Sequence, residues 1–328
     1  MIKTLKESAL YSRRTLILGA AATLAAGALP AYGNEVAKMY VGFAAGGATD
    51  TMARMIAPAL SSELGQTLVV ENVPGAAGAM ASKAVERSSP QQPAYVLYPT
   101  MTMLGKVLAG QDADLNKITP ISVIYDQYTL MVINPQVPGM ENVRSMQDLL
   151  QMAKTKPGMT YGALGIGSTG HLTMEWINSI AGVKMQVVPY KGGAPAMADL
   201  LGGHLSVLIV DSTVVAPHIK SGKVRAIAVN YPQRMPGFPE VQTLHEQGFK
   251  EINGAPWVVL AGPAGMSAAQ TDKVAKALER VLAKPELVQA MRAQNIEPRT
   301  SSPKDAAQLM QGDLALWSRI IKEKNITN

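Results

Sequence analysis

Cysteine is absent from all 328 residues. That excludes disulfides, thiolate nucleophiles, thiolate metal sites and a lipidated N-terminal cysteine. Histidine is scarce: His171, His204, His218 and His245 are the four, and no two stand at the i, i+4 spacing that presents a pair to zinc on a helix. No G-x-S-x-G elbow occurs, so the usual nucleophile turn of a serine hydrolase is missing. Basic residues outnumber acidic ones, 30 to 24. They are dispersed and form no stripe of the kind that tracks a phosphate backbone, which argues against nucleic acid as a partner. Past residue 29 no apolar run approaches the roughly 20 residues of a membrane span.

What is present begins with a leader. Arg13 and Arg14 precede an apolar run over residues 16–29, and Ala31-Tyr32-Gly33 supplies a small-x-small cleavage site. This order predicts a signal peptide over residues 1–33, with a twin arginine of the Tat type and a mature chain from Asn34. The expected compartment is the periplasm. The leader carries Lys3, Lys6, Arg13 and Arg14 against Glu7, so about half of the +6 formal charge leaves with it. The remaining 295 residues exceed what one core usually serves, which predicts two domains.

Short β-rich runs alternate with helical patterns, predicting α/β layers around mainly parallel sheets. Strands are expected near 38–43, 66–71, 94–98, 129–134, 160–164, 187–190, 206–210, 226–230 and 257–261. Residues 99–102 read as a loop. The C-terminal third reads as three helices, opened by Ser267, Pro285 and Ser302-Pro303. The break at Asn134-Pro135 and the strand-like run from Trp257 place the domain borders: 34–133 and 254–328 in the first domain, 134–253 in the second.

Four glycine-rich loops lie between a strand end and a helix start: 44–50, 75–78, 165–170 and 191–194. Each can be an ordinary turn. Each can also offer free backbone N–H groups beside the positive end of a helix dipole, an anion site. Residues 165–170 also fit the dinucleotide fingerprint G-x-G-x-x-G, but the next strand ends Pro189-Tyr190-Lys191 without the acid that such a site uses. No cofactor and no metal is expected. His171 follows Ser168 by three residues and reads as a capping or pocket-lining group. Asp211 ends a β-rich run and is either the N-cap of the next helix or an acceptor for a ligand hydroxyl or ammonium. Asp50 is open to the same two readings.

Taken together these loops resemble a known family. Residues 41–50 (Val-Gly-Phe-Ala-Ala-Gly-Gly-Ala-Thr-Asp), Leu64-Gly65-Gln66, residues 70–78, Tyr161-Gly162 through His171-Leu172, and Pro189-Tyr190-Lys191-Gly192-Gly193 are similar to the substrate-binding proteins of tripartite tricarboxylate transporters, the Bordetella uptake gene (Bug) family. The likeness runs in order through nearly the whole mature chain. It implies a two-domain periplasmic binding protein of type II, closing on a small carboxylate held mainly by backbone amides, and a membrane transporter or a sensor kinase as partner. The protein is then not an enzyme and is a monomer. The other reading is a Tat-exported, cofactor-dependent oxidoreductase. The resemblance maps the ligand site to Phe43, Ala44, Ala45, Gly46, Gly47, Thr49 and Asp50, to Thr100 and Met101, and to Gly165, Ile166, Gly167, Ser168, Thr169, His171 and Asp211. One ligand carboxylate is expected between residues 44–47 and 165–168. Gly42, Val73, Met101, Met103 and Val215 depart from the family pattern, the methionines and Val215 at positions that would alter the pocket wall.

Overall fold

The structure, a computed structural model, describes residues 36–111, 113–252, 255–323 and 326. The expected leader, its cleavage site and the domain border at Gly254 lie outside the described residues.

Each expected α/β pair forms, because an apolar strand is followed by an amphipathic helix that covers it. Strand β1 (Val36–Val41) leads through the first glycine loop to helix α1 (Ala48–Leu64), which buries Met52, Ile56 and Leu60. Gly65 ends this helix in the left-handed conformation, and the helix runs through Pro58. Strand β2 (Thr67–Asn72), α2 (Ala79–Glu86) and β3 (Tyr95–Pro99) follow.

Residues 99–102 and 118–126 depart from expectation. Residues 99–102 are not a loop, since helix α3 (Thr100–Leu108) starts directly at the end of β3. A nine-residue strand, β4 (Ile118–Asp126), lies where none was read. It carries Pro120, which ordinarily demotes a strand. Pro120 pairs with Ala261 beside a register shift in the ladder, where a missing donor costs little.

Next come β5 (Thr129–Ile133), α4 (Met146–Thr155), β6 (Thr160–Ala163), α5 (Thr169–Ala181), β7 (Gln186–Pro189), α6 (Gly193–Leu201), β8 (Val207–Asp211), α7 (Ser212–Lys220) and β9 (Arg225–Asn230). The chain ends with β10 (Trp257–Pro263), α8 (Ala268–Leu282), α9 (Pro285–Ala293), β11 (Glu297–Pro298) and α10 (Pro303–Glu323). Ser267 and Gln270 form a capping box at the start of α8.

The strands make two sheets, ordered β11-β4-β10-β3-β1-β2 and β7-β6-β8-β5-β9. The expectation of mainly parallel sheets needs correction. β10 runs antiparallel to β3 and β4, β11 antiparallel to β4, and β5 antiparallel to both β8 and β9. Antiparallel insertion follows from strands that leave one sheet and enter the other without a covering helix. β5 belongs to the second sheet, so the chain crosses after Asp126, ahead of the expected border at Asn134. Pro135 follows the end of β5 at Ile133.

Helices α1, α8 and α9 cover one face of the first sheet with Ile56, Leu278 and Met291. Helices α6 and α7 cover one face of the second with Met197, Leu200 and Val215. A third apolar cluster joins residues of both sheets, from Val123 and Val259 to Met131 and Ile209, with Trp176 and Trp317. No helix among the described residues is long and apolar enough to cross a membrane.

Candidate functional site

The first-domain loop is built by close backbone approach. A Cβ on Gly42 would fall 2.5 Å from the Cα of Gly78, so the two loops meet glycine to glycine. Asp50 then pins the turn. Its carboxylate accepts from the Gly46 N–H at 2.8 Å, from Arg54 Nε at 3.0 and 3.1 Å and from Asn72 Nδ2 at 2.9 Å. Asn72 also donates to the Phe43 carbonyl, at 3.1 Å. Burial pushes the Asp50 carboxyl up, but the bonds from Arg54, Gly46 and Asn72 outweigh it and hold the group below the usual carboxylate range. Asp50 is therefore engaged within its own domain. The Gly46 N–H is committed to it, and the Gly47 N–H donates to the Ala44 carbonyl at 3.3 Å. The open donors here are the N–H groups of Ala48 and Thr49, at the start of α1, where a helix has no internal acceptor.

The second-domain loop is organised by His171. Its Nδ1 accepts from the Gly167 N–H at 3.1 Å, which requires the neutral ring. Burial pushes the His171 pKa down, against the opposing pull of Glu175. Ser168 caps α5 by accepting from the His171 N–H, at 3.2 Å, and its own N–H turns back to the Gly165 carbonyl. Gly165 and Gly167 sit at φ +103° and +79°, which a side chain would strain. Of this loop, Gly167 and Ser168 have thus spent their N–H groups. Those of Thr169 and Gly170, the first two of α5, have no acceptor among the described residues.

Thr169 and Gly170 line a small cavity of about 30 Å³ together with Thr100, Met101, Ser168 and Asp211. That is room for a water or two. The helix starts of α3 and α5 open on it, one from each domain, and Asp211 brings the start of α7. Thr100 is held by β10, its hydroxyl donating to the Trp257 carbonyl at 3.1 Å and accepting from the Trp257 N–H at 2.9 Å. Just beyond, the domains touch: a Cβ on Gly167 would fall 3.0 Å from Leu108 Cδ1 and 3.4 Å from the Gly105 Cα.

Asp211 stands at the N-cap position of α7 but makes no capping bond. No described residue donates to its carboxyl. Half-buried and unpartnered, the group is pushed up to about 7 by burial. Close by lies a residue that sequence reasoning missed. Tyr125, at the end of β4, is wholly buried, and its hydroxyl has no partner. Burial above all raises its pKa, the Thr49 side chain opposes that, and the charge of Asp211 adds to it.

The remaining expected residues divide. Ala44, Ala45, Gly46 and Gly47 line a larger cavity of about 770 Å³, which they share with Gly192, Gly193 and His218. They do not share the small cavity with residues 165–170. The Phe43 ring packs close to Gly78. Gly165 and Ile166 are half-buried and line neither cavity. No group of three or more metal-ligating side chains occurs among the described residues.

Two α/β domains, each with its own sheet, and helix starts from both opening on one cleft define a solute-binding protein of the periplasmic type. The comparisons specify the family. Residues 52–326 match the model of the tripartite tricarboxylate transporter family receptor, and the chain belongs to that family. It is 30% identical over 310 residues to protein BugT of Bordetella pertussis, covering 93% of each chain. Among solved structures it is similar to the periplasmic binding protein BugD, with 28% identity, a TM-score of 0.76 and coverage of 89% of this chain and 98% of that one. The R. palustris protein Rpa4515, solved with adipate, is 27% identical with a TM-score of 0.79, over 90% of this chain and 99% of the other. The protein is thus an extracytoplasmic receptor for small carboxylates, periplasmic and not an enzyme, and it serves a tripartite-type transporter.

Proposed function

We propose that this receptor holds one ligand carboxylate on the N–H groups of Thr169 and Gly170, faced by the start of α3 at Met101, and gives it up to the membrane subunits of its transporter. The observation that supports the reading is that uncommitted backbone donors from both domains open on one cavity. Helix N-termini favour anions. Neutral donors hold an anion without an opposing fixed cation, which leaves release possible. Ala48 and Thr49, with residues 44–47, serve the far end of the ligand. Phe43, Asp50, Gly165, Ile166, Gly167 and His171 shape the loops instead of touching it. The first domain comprises the first sheet with α8 to α10, and the second runs from about residue 129 to the segment after Asn230. The leader is removed after Gly33, and the receptor works as a monomer.

Thr169→Pro tests the carboxylate site cleanly. Position 169 is the first of a helix, where proline is tolerated. Ser168, at φ −65° and ψ 155°, already has the conformation that a following proline requires. The substitution deletes one donor to a charged group, so affinity for the natively retained ligand, identified by mass spectrometry, is expected to fall about tenfold or more. Thr169→Ala controls for the side chain. Calorimetry showing equal affinity for both variants would move the carboxylate elsewhere.

A further inference from the structure

His171 is the buried histidine of this chain, 3% exposed, whereas His204 and His245 are exposed and His218 is half-buried. It ties the second-domain loop at two points. The ring Nδ1 accepts from the Gly167 N–H at 3.1 Å, and the His171 N–H donates to Ser168 Oγ at 3.2 Å. The first bond fixes the tautomer, with the lone pair on Nδ1 and the proton on Nε2. It also decides which donors remain. A Gly167 N–H spent on the ring leaves those of Thr169 and Gly170 to an anion.

A proton on Nδ1 would undo this arrangement. The ring would then present an N–H to the Gly167 N–H, two donors face to face with no acceptor between them. Gly167 has little room to turn away. A Cβ built on it would lie 3.0 Å from Leu108 Cδ1 and 3.4 Å from the Gly105 Cα, so the loop is packed against α3 of the first domain. Contacts therefore run from the ring through Gly167 to the opposite wall of the cleft. Charge on the ring and closure of the domains oppose one another.

We propose that His171 is the positioning residue of the carboxylate site, and that a proton on its ring releases the ligand by breaking the bond to Gly167 and opening the cleft. This rests on the carboxylate-binding reading above and adds a regulation to it. Two effects compete for the sign. A bound carboxylate attracts an imidazolium, which favours the proton. Closure buries the ring at the positive end of α5 and requires its lone pair, which expels the proton. The second prevails, because in the closed form the proton costs hydration, a buried hydrogen bond and a packed loop together. By linkage, a proton then lowers ligand affinity by the factor by which the ligand lowers proton affinity.

The groups around the ring are accounted for. Burial pushes the His171 pKa down, and Glu175, one turn further along α5, pulls it partly back. Glu175 is itself held by Tyr161 of β6, whose hydroxyl donates to it at 2.5 Å, and by Asn178 at 3.4 Å. On the helices packed against α5, Lys106 of α3 is paired with Glu86, and Asp313 of α10 accepts from Trp257. Asp211, at the end of β8, lines the same small cavity as Thr169 and is pushed up to about 7 by burial. It titrates with the opposite effect, since a proton on Asp211 removes a charge that repels the ligand.

The test is calorimetry between pH 5.5 and 8 on wild type, His171→Asn and His171→Leu. The probes are unsubstituted linear dicarboxylates of four to six carbons, and the one bound most tightly by wild type at pH 8 is carried through. Asn places an amide oxygen where Nδ1 stands and does not titrate, while Leu offers no acceptor. All three proteins keep Asp211, so its titration and that of the probe cancel between them. Relative to His171→Asn, wild-type affinity is expected to fall about tenfold from pH 7.5 to 5.5, the span in which an open, hydrated imidazole with the ordinary value of 6.5 takes up its proton. His171→Asn should match wild type at pH 8 within about threefold, and His171→Leu should bind about fivefold weaker or more at every pH. Nuclear magnetic resonance of the ring gives a readout that needs no variant to fold. With four histidines in the chain, the His171 signal can be assigned, and its pKa should fall when the probe saturates wild type. Parallel pH profiles in wild type and His171→Asn overturn the proposal, as does a ring pKa that rises on binding. His171→Leu equal to His171→Asn at pH 8 overturns it too, because the ring then only fills space. Any of these results leaves the carboxylate site standing, whereas binding of no probe at pH 8 removes both.

Discussion

Asp50 and Asp211 both stand where a strand gives way to a helix, yet their carboxyls live under opposite conditions. Asp50 gathers donors from Gly46, Arg54 and Asn72 and stays ionised. Asp211 gathers none, and burial lifts it to about 7. The consequence for stability has a definite sign. The folded value lies above the ordinary 3.8, so between the two the native protein binds more protons than the unfolded chain. Asp211 therefore contributes stability at acid pH that is lost as pH rises from about 4 to 7. Each unit of displacement is worth about 1.4 kcal/mol, and allowing for the half-buried side chain the loss should be about 1–3 kcal/mol. Urea unfolding at pH 4.5 and 7.5 measures it. Asp211→Asn should flatten that difference relative to wild type; identical profiles for the two proteins would show that the carboxyl stays solvated.

At the scale of elements, helix ends were the most legible feature of the sequence, because they are fixed by neighbouring residues. Ser267 and Pro285 each act within one turn, and each marks the start of its helix where expected. Strand direction was not legible, since the period of a strand is the same whichever way its neighbour runs. β4 was missed because Pro120 masks it, and Tyr125 was lost with it. The donors of the site were misplaced for a different reason. A glycine loop reveals flexible backbone, but only tertiary placement shows that His171 takes the Gly167 N–H and leaves Thr169 and Gly170 open. Long-range packing also sets the weight of α10. Trp317 is wholly buried and meets Trp176 of α5 edge to face, with ring centroids 5.8 Å apart. Trp317→Ala should cost about 3–5 kcal/mol through the cavity it leaves. Thermal or denaturant unfolding reads this directly, and a loss under 1 kcal/mol would mean that the two helices collapse onto one another.

For the whole molecule, the cavity at the paired helix starts sets a requirement on motion. At about 30 Å³ it is too small to hold an organic acid, so the domains must part to admit one and close again around it. The pivot has to lie where the chain crosses between sheets. There the Tyr128 and Tyr231 rings are 4.5 Å apart, and Asp126 accepts from Tyr231 at 2.7 Å and from Arg299 at 2.8 Å. Closure ends where Leu108 and Gly105 of α3 reach Gly167. A methyl group at 167 would be 3.0 Å from Leu108, at a φ of +79° that alanine resists. Gly167→Ala should therefore hold the domains apart as well as strain the loop, at a cost of about 1–2 kcal/mol to the closed form and a fall in affinity of about tenfold. Small-angle scattering gives a readout separate from affinity. The radius of gyration of wild type should fall when a saturating carboxylate is added, and that of Gly167→Ala should fall less at equal occupancy. An equal fall in both would show that the loop yields to the extra methyl and that the Gly105–Gly167 contact does not limit closure.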